Sequence, residues 1–428
     1  MQLALMSLVF FISLLMGVEI IFAFIVAGFT YILLSDNLRL VFSVIQTFNY
    51  TFITWELLAI PFFILTGELL HRAGLVQHIF GFTKSLMGHW RGGVAYATQI
   101  ATYLLSGVAG SANAEAAAIT PLLSPLLEKE GFTKPRAAAI LSAASLKGAI
   151  VPPSMLFIIY GAVTNTSIED LFLGGFTVGG LVMLSHIYLV YMFVRKDPKF
   201  KAVKRASLNV IAVSFIKAIP ILIIPVLIFF GLLGGWFTAT ESGAVSAFLA
   251  LVTGVLIYRT LTWRDIVEAM ISTARTSGGV LMIVAASSFI AYFVAYENIP
   301  NQLAQFLVSY VSSPMVFLLI VNVVLFLLGI FLEPIPLILM LMPIIAPLAH
   351  TYGLDPIQFG LVVLLNSLLG MLTPPVGGVL FVVSSIAKVS LEDLSREILP
   401  FVTASVIILI IISVVPASFL LWPKFVIR

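Results

Sequence analysis

The 428 residues are 61% hydrophobic and only 10% charged, with a net charge of +3 and no cysteine. A soluble protein charges roughly a quarter of its residues, so most of the outer surface of this chain must face lipid. The absence of cysteine excludes disulfides, thiolate metal sites and cysteine nucleophiles, and no Walker A sequence is present for phosphate binding.

Repeated apolar runs of about 18 residues or more make the chain polytopic. The first 30 residues, "MQLALMSLVFFISLLMGVEIIFAFIVAGFT", are too long and unbroken for a cleaved signal and read as a retained span. Glu19, Glu56 and Glu68 lie in apolar surroundings, suited equally to capping, to pairing with a partner subunit and to binding a solute. The run "RKDPKFKAVKR" (195–205) holds six Lys or Arg. In this setting it marks a cytoplasmic loop under the positive-inside rule, and no nucleic-acid partner is expected. Arg259, Arg264 and Arg275 mark a second such loop, and spans over about 209–232 and 241–258 fit between the two. Trp55, Trp90, Trp236, Trp263 and Trp422 stand near span ends, as interfacial anchors do.

The two halves repeat. "ITPLLSPLLEKEGF" (119–132) aligns with "LMPIIAPLAHTYGL" (341–354), so that Pro121, Pro125 and Gly131 fall on Pro343, Pro347 and Gly353, each 222 residues on. The same offset carries Gly107 onto Gly329, Gly148 onto Gly370 and Pro152-Pro153 onto Pro374-Pro375. One residue further in register, "SIEDL" (167–171) meets "SLEDL" (390–394). Scattered Gly and Pro would not hold one offset over this length, so the chain is internally duplicated, a pattern common in secondary transporters.

Each half contains two interruptions. In the first half a helical run over about 94–106 meets "GVAGSAN" (107–113) and resumes over about 114–128. Limbs of about 13–15 residues span roughly 20 Å, short of a hydrocarbon core of roughly 30 Å, which predicts a re-entrant hairpin. "GIFLEPIP" (329–336), with Glu333 at its tip, is the second-half equivalent. The other interruption is "GAIVPPS" (148–154), repeated as "GMLTPPV" (370–376). A Pro-Pro pair lacks two amide N–H groups and frees backbone carbonyls; such backbone is tolerated at membrane depth only when buried or lining a cavity. Freed carbonyls with Ser and Thr hydroxyls suit a small cation, and the half-helix that follows can turn its positive N-terminus toward an anion.

These segments resemble a known family. "LLAIPFFILTGELL" (57–70), "GSANAEAAAI" (110–119), "GAIVPPSMLFIIYG" (148–161) and "GMLTPPVGGVLFV" (370–382) are similar to the large membrane subunit of TRAP transporters over essentially the full length. The resemblance implies an all-α, multi-pass protein of the bacterial inner membrane that imports organic acids with sodium by an elevator motion. It also implies two partners, a small four-helix membrane subunit on a separate chain and a periplasmic substrate-binding protein. Two Na+ sites follow by residue match: Ser106, Gly110, Gly148, Val151 and Pro153 for the first, and Gly329, Gly370, Thr373 and Val376 for the second. The solute carboxylate is expected at Ser111, Asn113 and Ser154, with Thr373 and Pro374 opposite.

Two residues depart from the pattern. Glu115 stands where many relatives carry Asp, and Lys147 where they carry an apolar residue. Lys147 is expected to neutralise Glu115, to add positive charge to the anion site, or to snorkel to a watery crevice. The expected architecture is a scaffold from 1–90 and 207–312 around a transport unit from 91–206 and 313–428. Three rivals stand beside sodium symport. A proton could couple through Glu115 or Glu333, the chain could form an anion channel, or it could be a membrane enzyme. The histidines, which form no i, i+4 metal pair, supply no catalytic constellation for the last.

Overall fold

A computed structural model of the chain describes residues 2–35, 37, 39–106 and 110–422. Among these every regular element is a helix. The first half runs α1 (Gln2–Leu15), α2 (Ile20–Leu34), α3 (Arg39–Phe52), α4 (Ala59–Arg72), α5 (Val76–Met87), α6 (Gly93–Leu105), α7 (Ala112–Glu130), α8 (Lys134–Ser145), α9 (Lys147–Ile150), α10 (Met155–Thr164) and α11 (Ile168–Val194). The second runs α12 (Leu208–Leu233), α13 (Ala239–Val252), α14 (Trp263–Tyr296), α15 (Ile299–Tyr310), α16 (Pro314–Gly329), α17 (Pro334–Thr351), α18 (Pro356–Gly370), α19 (Gly378–Ala387) and α20 (Leu391–Val414), with a last turn at Ala417–Leu420.

Six described helices are long and apolar enough to cross a membrane, and three further pairs qualify as bent spans: α3 with α4 (46°), α8 and α9 with α10 (43°), and α15 with α16 (118°). All five tryptophans are exposed, as anchors in a lipid interface would be. The main apolar core runs through both halves, while α1, α2, α3 and the C-terminal part of α14 close a smaller core around Phe10, Phe24, Tyr31 and Phe293.

The duplication reaches the level of caps. Ser167 Oγ accepts from Asp170 N–H at 3.2 Å, and Ser390 Oγ accepts from Asp393 N–H at the same distance. Gly131 and Gly353 end α7 and α17 at φ 113° and 71°, a left-handed conformation that glycine adopts without a Cβ penalty. The next residue then closes each turn, Phe132 N–H onto Leu127 O and Leu354 N–H onto Ala349 O. The repeat also extends beyond the segments that betray it in sequence. At the 222 offset the broken pair α3 and α4 falls on the single continuous helix α14.

The interruptions stand where the prolines put them. Helix α9 ends at Ile150 and α10 starts at Met155; α18 ends at Gly370 and α19 starts at Gly378. Both Pro-Pro bonds are cis. One expectation fails: the second limbs of the hairpins are not short. Helix α7 has 19 residues and α17 has 18; α7 runs about two residues further at each end than expected, and both helices continue through their internal prolines, Pro121 and Pro125 in α7, Pro343 and Pro347 in α17. Gly107, the repeat mate of Gly329, lies outside the described residues with 108 and 109.

Candidate solute and ion site

Four helix starts gather between the halves. Gly110, at φ 60°, turns the first tip into α7, and a Cβ there would stand 3.8 Å from Met155 at the start of α10. Asn113, in the first turn of α7, donates from Nδ2 to Glu333 Oε1 at 3.5 Å, and Glu333 is the N-cap of α17. A Cβ on Gly378, the first residue of α19, would lie 3.6 Å from the same Nδ2. Packing crosses the repeat: α7 rests on α19 and α10 on α17. The starts of α7, α10, α17 and α19 thus surround one region, and each brings unpaired N–H groups and a positive dipole end.

Polar atoms there lack partners. Among the described residues, Asn113 Oδ1, Glu115 Oε1 and Ser154 Oγ are buried with no hydrogen bond. Ser154 and Ser111 are the N-caps of α10 and α7, and neither side chain caps its own helix. Buried polar groups are normally paired, so three orphans around four helix starts suit a polar ligand.

The two breaks differ. In the first, Val151, Pro152, Pro153 and Ser154 are all buried. The helical donors to the carbonyls of Gly148 and Ala149 would be Pro152 and Pro153, which have no N–H. Ser106 and Pro153 line one small cavity, together with Thr66 of α4 and Pro225 of α12. Ser106 Oγ itself donates to Tyr103 O at 2.5 Å. Gly148 is held close to Glu115, since a Cβ there would come within 2.9 Å of the glutamate Cβ. Carbonyl oxygens of this kind fit a hard cation such as Na+.

In the second break the freed carbonyls are partly recaptured. Thr373 N–H donates to Gly370 O at 3.0 Å and Val379 N–H to Met371 O at 3.2 Å, while Thr373 Oγ1 donates to Leu369 O at 2.8 Å. Pro374 is half-buried and Val376 is exposed. Gly329 and Gly370 touch through their backbones, bringing the second tip against the second break.

Lys147 does not reach water. It is fully buried, makes no ion pair with Glu115 among the described residues, and does not snorkel. Its Nζ donates to Gln99 Oε1 at 2.6 Å and Ala143 O at 3.2 Å, and lies 3.4 Å from His186 Nδ1. His186 Nε2 then meets Ser405 Oγ at 2.8 Å. Gln99, His186 and Ser405 were not singled out by the sequence, since nothing local links partners 48, 39 and 219 positions apart. Of the other acidic residues, Glu68 accepts from Ser272 and pairs with Arg72. Glu241 closes a capping box with Thr238. Both are structural. Among the described residues no group of three His, Asp or Glu could hold a metal ion by side chains.

Residues 7–418 match the family described as tripartite ATP-independent periplasmic transporter, DctM component. The chain belongs to this family. It is therefore a multi-pass inner-membrane transporter permease and not an enzyme. It is 34% identical over 412 residues to the sialic acid TRAP transporter large permease protein SiaM of Vibrio cholerae, an alignment covering 95% of each chain. It is 33% identical over 370 residues to the C4-dicarboxylate TRAP transporter large permease protein DctM of Pseudomonas aeruginosa, covering 86% of each. In fold it is similar to the YdaH transporter of Alcanivorax borkumensis, with a TM-score of 0.64 over 89% of this chain and 88% of that one at 15% identity.

Proposed function

We propose that this TRAP permease imports a carboxylate with sodium, the solute being delivered by a periplasmic binding protein and the permease completed by a small membrane subunit. The gathering of four helix starts around orphaned Asn113, Glu115 and Ser154 carries this reading. Helix N-termini stabilise a carboxylate, and Ser111, Asn113 and Ser154 offer it hydrogen bonds, with Thr373 and Pro374 on the opposite side. Sodium is bound in the first half by the carbonyls of Gly148 and Val151 and by Ser106, Gly110 and Pro153. In the second half it is bound near Gly329, Gly370, Thr373 and Val376.

Ion and solute share the same tips and breaks, so each raises the affinity of the other, which is a reciprocal linkage. The loaded unit, 91–206 with 313–428, then slides against a scaffold of 1–90 with 207–312. The relatives named for sialic acid and C4-dicarboxylates support a carboxylate cargo. The decisive experiment is uptake into proteoliposomes holding both membrane subunits, with binding protein outside and a sodium or proton gradient imposed separately. Saturable uptake driven by sodium at fixed pH is expected. Uptake driven by the proton gradient alone favours the proton reading, and unsaturable flux favours a channel.

A further inference from the structure

The two halves repeat the hairpin tip and the Pro-Pro break, yet Glu115 and Lys147 have no charged mates. Glu115 and Lys147 are both buried in the first half. Their mates at the 222 offset are Leu337 and Leu369. The carboxylate and the ammonium are present together in one half and absent together from the other.

The structural task around Lys147 is met without charge in the second half. There Asn366 Nδ2 donates to Asn322 O at 2.9 Å and Oδ1 at 2.7 Å, and Asn322 Nδ2 donates to Ser413 Oγ at 3.3 Å. These neutral groups tie α18 to α16 and α20, as Lys147, Gln99, His186 and Ser405 tie α9 to α6, α11 and α20. Tying helices together therefore does not require a lysine.

The lysine's surroundings suit an ammonium. Such a group has three N–H donors and no acceptor; Gln99 Oε1 and Ala143 O accept from Nζ, and His186 Nδ1 is a third acceptor in the tautomer that leaves this nitrogen bare. With Nδ1 accepting, His186 carries its hydrogen on Nε2 and donates to Ser405 Oγ, which donates to Phe401 O at 2.9 Å. Every hydrogen in the chain then has a place. The ammonium stands one residue before Gly148, the glycine on which the Glu115 side chain packs.

We propose that Lys147 is a positioning residue of the first ion site, a built-in cation that balances the buried Glu115 carboxylate through space. The first site is thereby kept from recruiting one further exchangeable cation to that carboxylate. This rests on the sodium reading above, and it fixes the charge of the site from which solute and sodium are bound.

The test is the melting temperature of the purified permease complex with and without sodium, for the native chain, Lys147→Met, Glu115→Gln and the double variant. A buried carboxylate stripped of its cation is costly, and a cation that binds only the folded state stabilises it. Lys147→Met is expected to melt lower in potassium and to gain about twofold more from sodium than the native chain does. Adding Glu115→Gln is expected to restore both values. If Lys147→Met responds to sodium as the native chain does, or the double variant melts no higher than Lys147→Met, the proposal is overturned. Should Lys147→Met fail to fold, a folded double variant upholds it and an unfolded one sinks it. Because rescue by Glu115→Gln is also read without sodium, it stands or falls even if the native chain proves indifferent to that ion. In that case the sodium reading fails by itself.

Discussion

Gly370 meets Gly329 so closely that a Cβ at 370 would stand 2.2 Å from the carbonyl carbon and oxygen of Gly329. The second break and the second hairpin tip are thus held together by the absence of two side chains. Overpacking such a contact costs about 1–3 kcal/mol. Gly370→Ala is expected to lower the melting temperature and to cut uptake by about tenfold, the equivalent of about 1.4 kcal/mol. Gly278→Ala in α14 is the matched control, with nothing within 4 Å of its Cβ. It is expected to stabilise by about 0.5–1 kcal/mol, as Ala does over Gly inside a helix.

Ser154 separates a binding role from a packing role. Its hydroxyl is buried without a partner, so Ser154→Ala removes an unsatisfied group and is expected to leave the melting temperature unchanged or slightly raised. If the hydroxyl serves the solute, the same substitution raises the KM for uptake about tenfold, in line with about 1–3 kcal/mol for a polar group left unpaired in the complex. An unchanged KM removes Ser154 from the solute site.

Glu130 and Tyr352 are repeat mates that close the bases of the two hairpins with different chemistry. The Glu130 carboxylate accepts from Val94 N–H at 2.9 Å, and Tyr352 Oη donates to Val311 O at 2.8 Å. Tyr352→Phe and Glu130→Ala are each expected to cost about 1 kcal/mol, the usual worth of one such bond or cap. Thermal melts of the single and double variants should show the two costs adding, since the bases belong to separate hairpins.

Arg136 reaches from the first half to the second. It holds Glu397 with two bonds, at 2.7 and 3.1 Å, and lies over the Phe193 ring at 4.8 Å. Forked pairs of this kind exceed ordinary surface ion pairs. A double-mutant cycle between Arg136→Ala and Glu397→Ala is expected to return a coupling of about 1 kcal/mol. Arg136→Lys should recover less than half of it, because lysine cannot form the fork.

Much of this was legible because proline and glycine act locally. Pro152-Pro153 and Pro374-Pro375 had to end a helix wherever they fell, and the 222 offset that joins them is written in residues with steric consequences. The extent of the repeat was not legible, since Pro61 and Gly67 of α4 and Gly278 and Gly279 of α14 find no Gly or Pro mate at the 222 offset. Lys147 was visible as an anomaly, but its partners lie on α6, α8, α11 and α20. Only the packing of the breaks brings them together.

The crossed packing, α7 on α19 and α10 on α17, has a consequence for how the molecule is assembled. Each arm lends its neighbour the wall that neighbour is missing, so half a chain has no finished interior to settle into. A gene severed within the basic 195–205 stretch should yield two fragments that are each degraded when made alone. Made together in one cell, they should recover the whole carrier.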